Sequence, residues 1–427
     1  MTIQNIHDLF LKCSNVSIDT RKIESNSFFV AIKGERFDAN AFAKEALEKG
    51  ASYVVIDNVD YHIDNRTILV KNSLETLQAL AKFHRQFLNL PIIALTGSYG
   101  KTTTKELINV VLSKKFNTKA TVGNLNNHIG VPLTLLSFTK ETQIGIVEMG
   151  ANHQKEIEFL CEIAQPDYGY ITNFGKAHLE GFVGVDGVIK GKREMYAYLK
   201  SNSKSVFVNL DDEIQNQKTE DFKRIAFSQK DKNVNVFIES VTANPFVKIK
   251  ALNVEINSHL IGLYNANNIN AAITIGNYFE VPVNHIKDAI ESYIPENNRS
   301  QLLTKDLNEI ILDAYNANPS SMMVALENFI QLEKANKCII IGDMYELGEE
   351  SLAEHKAIVN FLSQNSTFEC HFVGKDFFAN SIQKENFHFY NTFEDFTKYL
   401  LSVKLENKTL LIKGSRGMAL ERTLEYL

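Results

Sequence analysis

The sequence predicts an α/β protein of three domains, two of them built on a mostly parallel sheet with helices on both faces. Its 427 residues are too many for one ordinary hydrophobic core. In the central and C-terminal parts, short apolar runs alternate with segments of helical spacing, which is typical of such sheets. A polar loop follows most of these runs, and ligands of parallel sheets bind at the carboxyl ends of the strands.

The composition indicates a folded protein and argues against several classes. With 44% apolar and 22% charged residues the chain can bury a core. No stretch has the length of a membrane span, and no basic start precedes an apolar core at the N-terminus, so we expect a cytoplasmic protein. The four cysteines show no Cys-x-x-Cys spacing, so the spacing suggests neither a zinc–thiolate site nor a disulfide framework. A net charge of −6 with interspersed signs argues against nucleic-acid binding.

Residues 1–83 are predicted to form a small N-terminal α/β domain. Apolar runs at 28–32 and 53–56 predict buried strands, and 41–49 predicts a helix. A polar cluster precedes them, formed by Asp19, Thr20 and Arg21. The cluster fits a turn with a surface salt bridge, and it also fits a contact to a diphosphate or uracil, because arginine offers a planar fork of donors. Helical spacing at 74–88 predicts a connection to the next domain.

Residues 84–294 are predicted to form the central domain, whose first feature is a phosphate-binding loop. An apolar run at 91–95 leads into a glycine-containing turn and a predicted helix at 101–113. This order brings backbone N–H groups and a helix N-terminus to one anion. The loop residues are Gly97, Ser98, Gly100, Lys101, Thr102 and Thr103. Lys101 would reach the outer phosphates and Thr102 would hold Mg²⁺. Only two residues separate the glycines, where the general pattern has four, so a chance Gly-Lys-Thr in a strand-to-helix turn is the alternative.

Polar residues also follow the next strands of the central domain. Strands are predicted at 144–147, 168–171 and 206–208, and helices at 154–164 and 185–199. Glu148 follows the first strand, and His178 ends the loop after the second. Both fit a Mg²⁺ site, although histidine is an uncommon ligand for so hard a cation. Each also fits an ordinary polar loop residue.

The pattern changes at the end of the central domain. Alternation of apolar and polar residues at 234–261 predicts an antiparallel ribbon. A helix then opens within 262–272, where four asparagines in six positions are poor for helix stability. Because asparagine pairs well with an adenine edge, we predict a binding role for Asn265 and Asn268.

Residues 295–427 are predicted to form a second doubly wound domain. Strands are predicted at 309–312, 338–341, 371–373 and 410–412, and helices at 320–333, 351–362 and 418–427. Polar loops follow three of the strands, at 313–319, 342–348 and 413–417. Their position at the strand ends makes these loops candidates for ligand binding.

Taken together, these loops resemble the Mur ligase family, the ATP-dependent amide-forming enzymes of peptidoglycan precursor synthesis. The segment 96–103 is similar to the family's own shortened phosphate loop, and the motifs at 148–151, 173–178 and 265–268 follow in the family order. Two positions depart from the pattern, because Tyr99 stands where the family more often has asparagine and Tyr264 where histidine is common. The motifs at 123–134, 313–319, 342–348 and 413–416 narrow the resemblance to one branch of the family.

That branch joins D-alanyl-D-alanine to UDP-N-acetylmuramoyl-tripeptide. The resemblance implies that ATP phosphorylates the tripeptide carboxylate and that the dipeptide amine attacks the acyl phosphate. It implies an N-terminal UDP-substrate domain, a central ATP-binding domain and a C-terminal Rossmann-like domain that closes when ATP and the UDP-substrate are bound. We expect a monomer, with no nucleic-acid or membrane partner.

The resemblance also implies roles for individual residues. ATP would contact the phosphate loop, Asn265, Asn268, Arg299 and Asp313. Mg²⁺ would be held by Thr102, Glu148, His178 and Lys192, the last as a carbamate formed with CO₂. Lys101, His178 and Lys192 would be catalytic. The substrates would contact Asp19, Thr20, Arg21, Asn124, Asn126, Asn127, Tyr315, Asn316, Asn318, Lys413, Ser415 and Arg416. From residue type alone, Lys192 would be a surface lysine.

Three alternatives remain at this point. The tripeptide-forming ligase and folylpolyglutamate synthetase belong to the same family, but the motif at 313–319 and the asparagines at 124–127 favour the D-alanyl-D-alanine branch. A nucleotide-gated binding protein that has lost ligation is a third, and the presence of Lys101, Glu148 and Lys192 argues against it. The sequence does not tell whether the tripeptide ends in meso-diaminopimelate or L-lysine.

Overall fold

A computed structural model describes residues 1–296 and 298–427, which form three sheets flanked by helices. The strands are β1 (Asn15–Ser17), β2 (Ser27–Val30), β3 (Ala51–Ile56), β4 (Thr67–Leu69), β5 (Ile92–Thr96), β6 (Thr118–Ala120), β7 (Ile144–Glu148), β8 (Tyr168–Ile171), β9 (Ser205–Asn209), β10 (Lys223–Ser228), β11 (Val236–Ala243), β12 (Phe246–Ala251), β13 (Val254–Ile261), β14 (Gln301–Lys305), β15 (Asn308–Asp313), β16 (Lys337–Gly342), β17 (Glu369–Val373), β18 (Phe387–Tyr390) and β19 (Thr409–Lys413). The helices are α1 (Ile3–Phe10), α2 (Ala43–Glu48), α3 (Ser73–Leu88), α4 (Lys101–Leu112), α5 (Gly130–Leu136), α6 (Glu156–Ala164), α7 (Leu179–Phe182), α8 (Val185–Lys192), α9 (Glu194–Ser201), α10 (Glu213–Lys218), α11 (Ala266–Tyr278), α12 (Val283–Ser292), α13 (Pro319–Gln331), α14 (Ser351–Asn365), α15 (Lys375–Ala379) and α16 (Phe393–Ser402).

The N-terminal sheet has four parallel strands in the order β1-β2-β3-β4. Its central strands read as apolar runs because both faces are covered, α2 packing on β3 and α3 contacting β2. Helix α3 spans the predicted boundary between residues 83 and 84, and it also contacts α5 and α6 of the central part. The domain boundaries stay predictions.

The central sheet has the order β13-β12-β11-β10-β9-β8-β5-β7-β6. Strand β5 is fully buried and lies between β7 and β8. The chain therefore forms β6 and β7 on one side of β5 and then crosses to the other side to form β8. Such a reversal opens a crevice at the carboxyl end of the strand, where ligands bind. The predicted antiparallel ribbon is present as β11, β12 and β13, and β11 joins it to the parallel sheet through β10.

The C-terminal sheet has the order β14-β15-β19-β16-β17-β18. Its strands are parallel except β14, which runs antiparallel to β15 at the edge. The register pairs Asp313 with Lys413, so the loops that follow β15 and β19 begin side by side. Together with the central parallel sheet, this arrangement confirms the predicted α/β fold class.

The structure corrects two helix predictions. The segment 418–427 is not an α-helix but 3-10 turns, because Ala419 takes a left-handed φ of 48° and Leu420 is buried against Gly342 and Gly414. The predicted helix at 185–199 is divided into α8 and α9 at Arg193.

Among the described residues, no helix combines the length and apolar character that a membrane crossing needs.

Candidate active site

One cleft of about 1010 Å³ lies where the carboxyl ends of the central and C-terminal sheets meet. Most of the residues predicted from the sequence line it: Ser98, Gly100, Lys101, Thr102, Thr103, Asn124, Asn126, Asn127, Glu148, His178, Asn265, Asn268, Arg299, Asp313, Tyr315, Asn316, Asn318, Lys413, Ser415 and Arg416. They come from loops that are far apart in the chain, so only the fold brings them together.

The loop between β5 and α4 requires both of its glycines. Gly97 has φ 149°, and a Cβ on it would lie 2.0 Å from Oγ1 of Thr172. Gly100 has φ 77° just before α4, and a Cβ there would lie 2.8 Å from Oδ1 of Asn268. The short loop is therefore set by close backbone approach on both sides.

Hydrogen bonds hold the same loop against the segment after β8. The hydroxyl of Thr172 donates to the Tyr99 carbonyl at 2.7 Å, and Nδ2 of Asn173 donates to it at 2.9 Å. The Tyr99 N–H donates to Oδ1 of Asn173 at 3.2 Å, and the Ser98 hydroxyl donates to the Gly175 carbonyl at 2.7 Å. The backbone N–H groups at the start of α4 are thus preorganised for an anion.

Lys101 and Glu148 place opposite charges beside this helix N-terminus. The ammonium group of Lys101 donates to the Gly97 carbonyl at 2.6 Å, and burial lowers the pKa of Lys101 while Glu148 opposes the shift. Glu148 is 1% exposed and accepts from Nδ2 of Asn126 at 2.7 Å through Oε1. Its Oε2 is buried and has no hydrogen-bond partner among the described residues. A buried carboxylate oxygen without a donor, in the cleft that Thr102 also lines, fits a hard divalent cation.

Lys192 is buried and not on the surface. It is the last residue of α8 and is 1% exposed. Its Nζ donates to the Ala151 carbonyl at 3.4 Å and lies 5.2 Å from the centre of the Phe182 ring. Burial, followed by the positive charge of Lys101, moves the pKa of Lys192 well below its ordinary value. Ala151 lines the cleft, so the Lys192 amine lies directly behind a residue of the cleft wall.

His178 connects the central part to the C-terminal part. It stands before α7 with φ 52°, and its Nδ1 contacts a carboxylate oxygen of Glu346 in the loop after β16. The contact with His178 holds the pKa of Glu346 below its usual value. His178 and Glu346 both line the cleft, on opposite walls.

The two predicted asparagines of α11 form hydrogen bonds within the protein. Nδ2 of Asn268 donates to Oδ1 of Asn265 at 2.9 Å, and the Thr104 hydroxyl donates to Oδ1 of Asn268 at 3.0 Å. Nδ2 of Asn265 donates to the Ile261 carbonyl at 2.8 Å. The bond from Thr104 to Asn268 fastens α11 to α4, which is a structural reason for asparagine in a buried helix. Carbonyl oxygens have a second lone pair, so a ligand contact remains compatible with this network.

The C-terminal wall of the cleft carries a buried ion pair. Nζ of Lys413 lies 2.6 Å from Oδ2 of Asp313, and Oδ1 of Asp313 accepts from the Ser300 N–H at 3.1 Å. The guanidinium of Arg299 lies 3.6 Å from the centre of the Tyr315 ring, which is close stacking. The wall therefore presents two cationic groups and one aromatic face to the cleft.

Asn318, Ser415 and Arg416 complete this wall. Asn318 caps α13, where its side chain accepts from Ser321, and its Nδ2 reaches the Ser98 carbonyl at 3.4 Å. The Ser415 hydroxyl accepts from the Tyr345 N–H at 2.9 Å, and Arg416 pairs with Glu421 at 2.6 Å. The contact from Asn318 joins the C-terminal part directly to the phosphate loop.

Three predicted residues lie away from the cleft. None of Asp19, Thr20 or Arg21 is among the described residues that line it. The guanidinium of Arg21 is 85% exposed and pairs with the Asp19 carboxylate at 2.7 Å, which is the salt-bridge alternative. Their contact to a nucleotide-sugar stays a prediction.

Sequence reasoning did not select some residues that line the cleft. Glu346 and Tyr345 lie in the loop 342–348 after β16, which the sequence predicts as a candidate binding loop without assigning a role to either residue. Ser300 follows no strand, and nothing in its neighbourhood along the sequence points to the cleft.

Comparisons with known proteins agree across the whole chain. The model of the Mur ligase family catalytic domain matches residues 12–85, the Mur ligase middle domain matches 95–276, and the Mur ligase glutamate ligase domain matches 298–416. The UDP-N-acetylmuramoyl-tripeptide–D-alanyl-D-alanine ligase of Buchnera aphidicola is 35% identical, with 97% of this chain and 92% of that one covered. The chain belongs to the Mur ligase family. The ligase of the same name from Escherichia coli is 32% identical over 96% of this chain and 93% of that one.

Solved structures that are similar to this Mur ligase include MurF ligases. MurF from Acinetobacter baumannii has a TM-score of 0.87 and 28% identity, covering 99% of this chain and 97% of that one. MurF from Thermotoga maritima, solved in complex with ADP, has a TM-score of 0.84 and 25% identity, covering 98% and 97%. The likeness to MurF ligases predicted from the motifs is confirmed over the full length of the chain.

Proposed function

We propose that this Mur ligase joins D-alanyl-D-alanine to UDP-N-acetylmuramoyl-tripeptide, with ATP converted to ADP and phosphate through an acyl phosphate. The observation that carries the proposal is the single cleft in which the phosphate loop faces the loops after β15 and β19. A carboxylate is a poor electrophile, so transfer of the γ-phosphoryl group to it provides a leaving group. The dipeptide amine then attacks the acyl carbon, phosphate leaves with the bonding electron pair, and the amine releases one proton.

The phosphate loop supports binding of ATP. The N-terminus of α4 and the ammonium group of Lys101 supply donors and positive charge to the β- and γ-phosphates. Thr102 and the orphaned oxygen of Glu148 would hold Mg²⁺. When bound, Mg²⁺ neutralises the charge that develops on the transferred phosphoryl group. Asn265, Asn268, Arg299 and Asp313 would face the nucleoside.

Lys192 is proposed to carry a carbamate that holds a second Mg²⁺ together with His178. The neutral amine attacks CO₂, a new N–C bond forms, and one proton leaves to solvent, giving an anionic carbamate. The strongly lowered pKa supports this chemistry, because only an uncharged amine is nucleophilic. An ammonium in the same place would repel the metal, whereas carbamate oxygens suit it.

The remaining cleft residues divide between the two peptide substrates. Asn124, Asn126 and Asn127 would contact the UDP-substrate, with Asp19, Thr20 and Arg21 binding its nucleotide-sugar. The dipeptide or the acyl phosphate would meet Tyr315, Asn316, Asn318, Lys413, Ser415 and Arg416. Lys413 and Arg416 support the choice, since their positive charges suit the carboxylate of the dipeptide and the anionic acyl phosphate.

Phosphate release tests the proposed function. With ATP and UDP-N-acetylmuramoyl-tripeptide, release should be fast only when D-alanyl-D-alanine is added, because the amine discharges the acyl phosphate. Release at the same rate without the dipeptide, or no release at all, would overturn the ligase assignment. The same assay with tripeptides ending in meso-diaminopimelate or L-lysine identifies the third residue.

The carbamate has a separate test. Lys192→Ala should lose ligation, and short carboxylic acids should restore part of it by supplying the missing anion. Lys190→Ala, two residues earlier on α8, is the matched control and should remain active. Full activity of Lys192→Ala without added acid would rule out the carbamate while leaving the ligase assignment intact.

A further inference from the structure

A cluster of metal-ligating side chains lies at the opposite end of the C-terminal sheet from the cleft. Cys338 is the second residue of β16, Glu369 opens β17 and His371 lies two residues later, so Glu369 and His371 share one face of the sheet. The register pairs Cys338 with Glu369 and His371 with His388 of β18. Because the strands are parallel, their amino ends gather these groups away from the proposed ligase chemistry.

The donor atoms are close enough to share one ion. Sγ of Cys338, a carboxylate oxygen of Glu369 and a ring nitrogen of His371 all lie within 4.8 Å of one another. A ring nitrogen of His388, Nε2, lies 3.8 Å from Oε1 of Glu369 but outside this group of three, so His388 becomes a fourth donor only when its partly exposed ring turns toward the other ligands. Cys338 and His371 are fully buried, whereas the His388 side chain is 35% exposed. An ion could therefore enter from the side of His388.

The ring of His371 is oriented by a partner on its second nitrogen, as is usual for a metal-binding imidazole. Its Nδ1 lies 3.2 Å from the Tyr390 hydroxyl, and the ring is stacked on Tyr390 and His388. Its Nε2 is completely buried and lies 3.1 Å from Oε1 of Glu369, but without the geometry of a hydrogen bond. A buried ring nitrogen aimed into a group of ligands with no good partner is the observation that points to an ion.

Two further groups orient the carboxylate. The Tyr399 hydroxyl donates to Oε1 of Glu369 at 3.0 Å, and Nζ of Lys408 donates to Oε2 at 3.1 Å. Each carboxylate oxygen has two lone pairs, so Oε1 can bind an ion and still accept from Tyr399. The Lys408 ammonium holds Oε2, which leaves Oε1 as the oxygen that faces the other ligands.

We propose that Cys338, Glu369, His371 and His388 form a structural site for a divalent ion of the Zn²⁺ type. Thiolate, imidazole and carboxylate are all zinc ligands, and four such ligands would fill a tetrahedral site with no position left for a substrate. Mg²⁺ does not compete, because it prefers oxygen ligands in an octahedral arrangement. The site would connect the amino ends of β16, β17 and β18. Spacing of cysteines along the chain could not have predicted it, since only one of its ligands is a cysteine.

Cobalt spectroscopy on the full-length protein tests the thiolate ligand. The chelator-treated protein, kept in excess Mg²⁺ to occupy oxygen sites in the cleft, should develop a Co²⁺–thiolate charge-transfer absorption that saturates at one equivalent of added Co²⁺. Cys338→Ser should abolish it. Cys370→Ser is the matched control, because Cys370 is buried on the other face of β17, and it should keep the absorption. Absence of the band in the wild type, or its persistence in Cys338→Ser, would overturn the site.

Thermal unfolding with Zn²⁺ provides a second measurement that does not depend on Cys338→Ser folding. Zn²⁺ should raise the melting temperature of the wild type and of Cys370→Ser, since an ion that binds only the folded state stabilises it. His388→Gln changes a partly exposed side chain and should still fold. His388→Gln should need at least about tenfold more Zn²⁺ than the wild type for the same rise in melting temperature. Tyr390→Phe removes an orienting partner of His371 and should also need about tenfold more Zn²⁺ than the wild type. An equal response of His388→Gln and the wild type contradicts the four-ligand site.

Discussion

At the residue scale, the cleft depends on charged groups that burial has altered. Lys101 and Lys192 both have lowered pKa values because their ammonium groups are poorly solvated. Their surroundings nonetheless favour different roles, a cation that binds phosphate for Lys101 and an uncharged amine for Lys192. Lys101 stays close to Glu148 and to a helix N-terminus that attracts anions, whereas Lys192 is surrounded by an aromatic ring and a carbonyl, where an uncharged amine is favoured.

Replacing Lys101 should remove the main positive charge on the phosphates. Lys101→Met should lower the rate of ATP-dependent phosphate release by about 10²- to 10³-fold, the usual effect of losing one preorganised donor at a transition state. The measurement is phosphate release with all substrates at saturation. Lys114→Met, which changes an exposed lysine just beyond α4, is the control and should keep the wild-type rate. A loss of less than tenfold in Lys101→Met would contradict this role.

At the element scale, the turn from β5 to α4 depends on close approach between neighbouring elements. Thr172 after β8 and Asn268 of α11 both occupy the space in which a side chain on the loop glycines would lie. A Cβ at Gly97 or Gly100 would overlap these partners, so the packing accounts for glycine at both positions of the loop.

Gly97→Ala should be more destabilising than an alanine at a glycine with free space. Gly123 also has a positive φ, of 56°, but a Cβ there would meet nothing within 4 Å. We expect Gly123→Ala to cost about 1–2 kcal/mol from backbone strain alone. Gly97→Ala should cost a further 1–3 kcal/mol or so, because the methyl group overlaps Thr172. Urea titration of both variants measures the difference, and equal free energies of unfolding would refute the steric argument.

The contact between α1 and α3 should make stability depend on pH. Nε2 of His7 lies 2.9 Å from Nδ1 of the buried His84, and burial, followed by the charge of His84, lowers the pKa of His7 from 6.5 to about 4. The pKa of His84 is lowered as well, also by burial. Between pH 6.5 and about 4 the unfolded chain therefore binds protons that the folded chain does not, so stability falls as the pH falls through this window.

The replacement His7→Gln isolates this effect, since glutamine can still bond His84 but does not titrate. The fall in melting temperature from pH 7 to 4.5 should shrink by up to about a third, because one of three buried histidines with a lowered pKa, His7, His84 and His371, no longer contributes. His285→Gln, at an exposed position of α12, should leave the pH dependence unchanged. An unchanged slope in His7→Gln would show that His7 does not contribute.

At the scale of the whole molecule, the cleft exists because the central and C-terminal sheets face each other through their carboxyl ends. Contacts across it include the ion pair of Lys176 with Glu354 at 2.5 Å and the contact of His178 with Glu346. We predict that bound ATP and UDP-substrate draw the C-terminal domain further onto the central one, since both walls contribute proposed ATP contacts. Solution scattering should detect compaction when both ligands are added, and its absence would contradict domain closure.

Removing the charge of both glutamates should weaken this closure. In the double variant Glu346→Gln, Glu354→Gln we expect the KM for ATP to rise about two- to thirtyfold, because partly exposed polar contacts of this kind contribute only about 0.2–1 kcal/mol each. Glu349→Gln with Glu350→Gln changes the net charge equally at exposed positions and should leave KM unchanged. The result would count against the proposed contacts if the two double variants behaved alike.

The local sequence alone predicted the buried central strands of each sheet, most of the long helices and the polar loops, because hydrophobic period and glycine placement are properties of neighbouring residues. That is why the segment from Ile92 to Thr103 is predicted as strand, loop and helix from its own residues. The resemblance carried by ordered motifs then led to the Mur ligase family, which is confirmed. The roles of the individual cleft residues stay predictions.

Only the tertiary structure decided what depends on distant parts of the chain. Lys192 looks like a surface lysine by residue type, and its burial comes from packing beside Phe182 and Ala151. The 3-10 ending at 418–427 results from the burial of Leu420 against Gly342 and Gly414. The cluster of Cys338, Glu369 and His371 with His388 needs three strands in register. In each case the physical cause is desolvation or contact between segments far apart in sequence, which no local pattern contains.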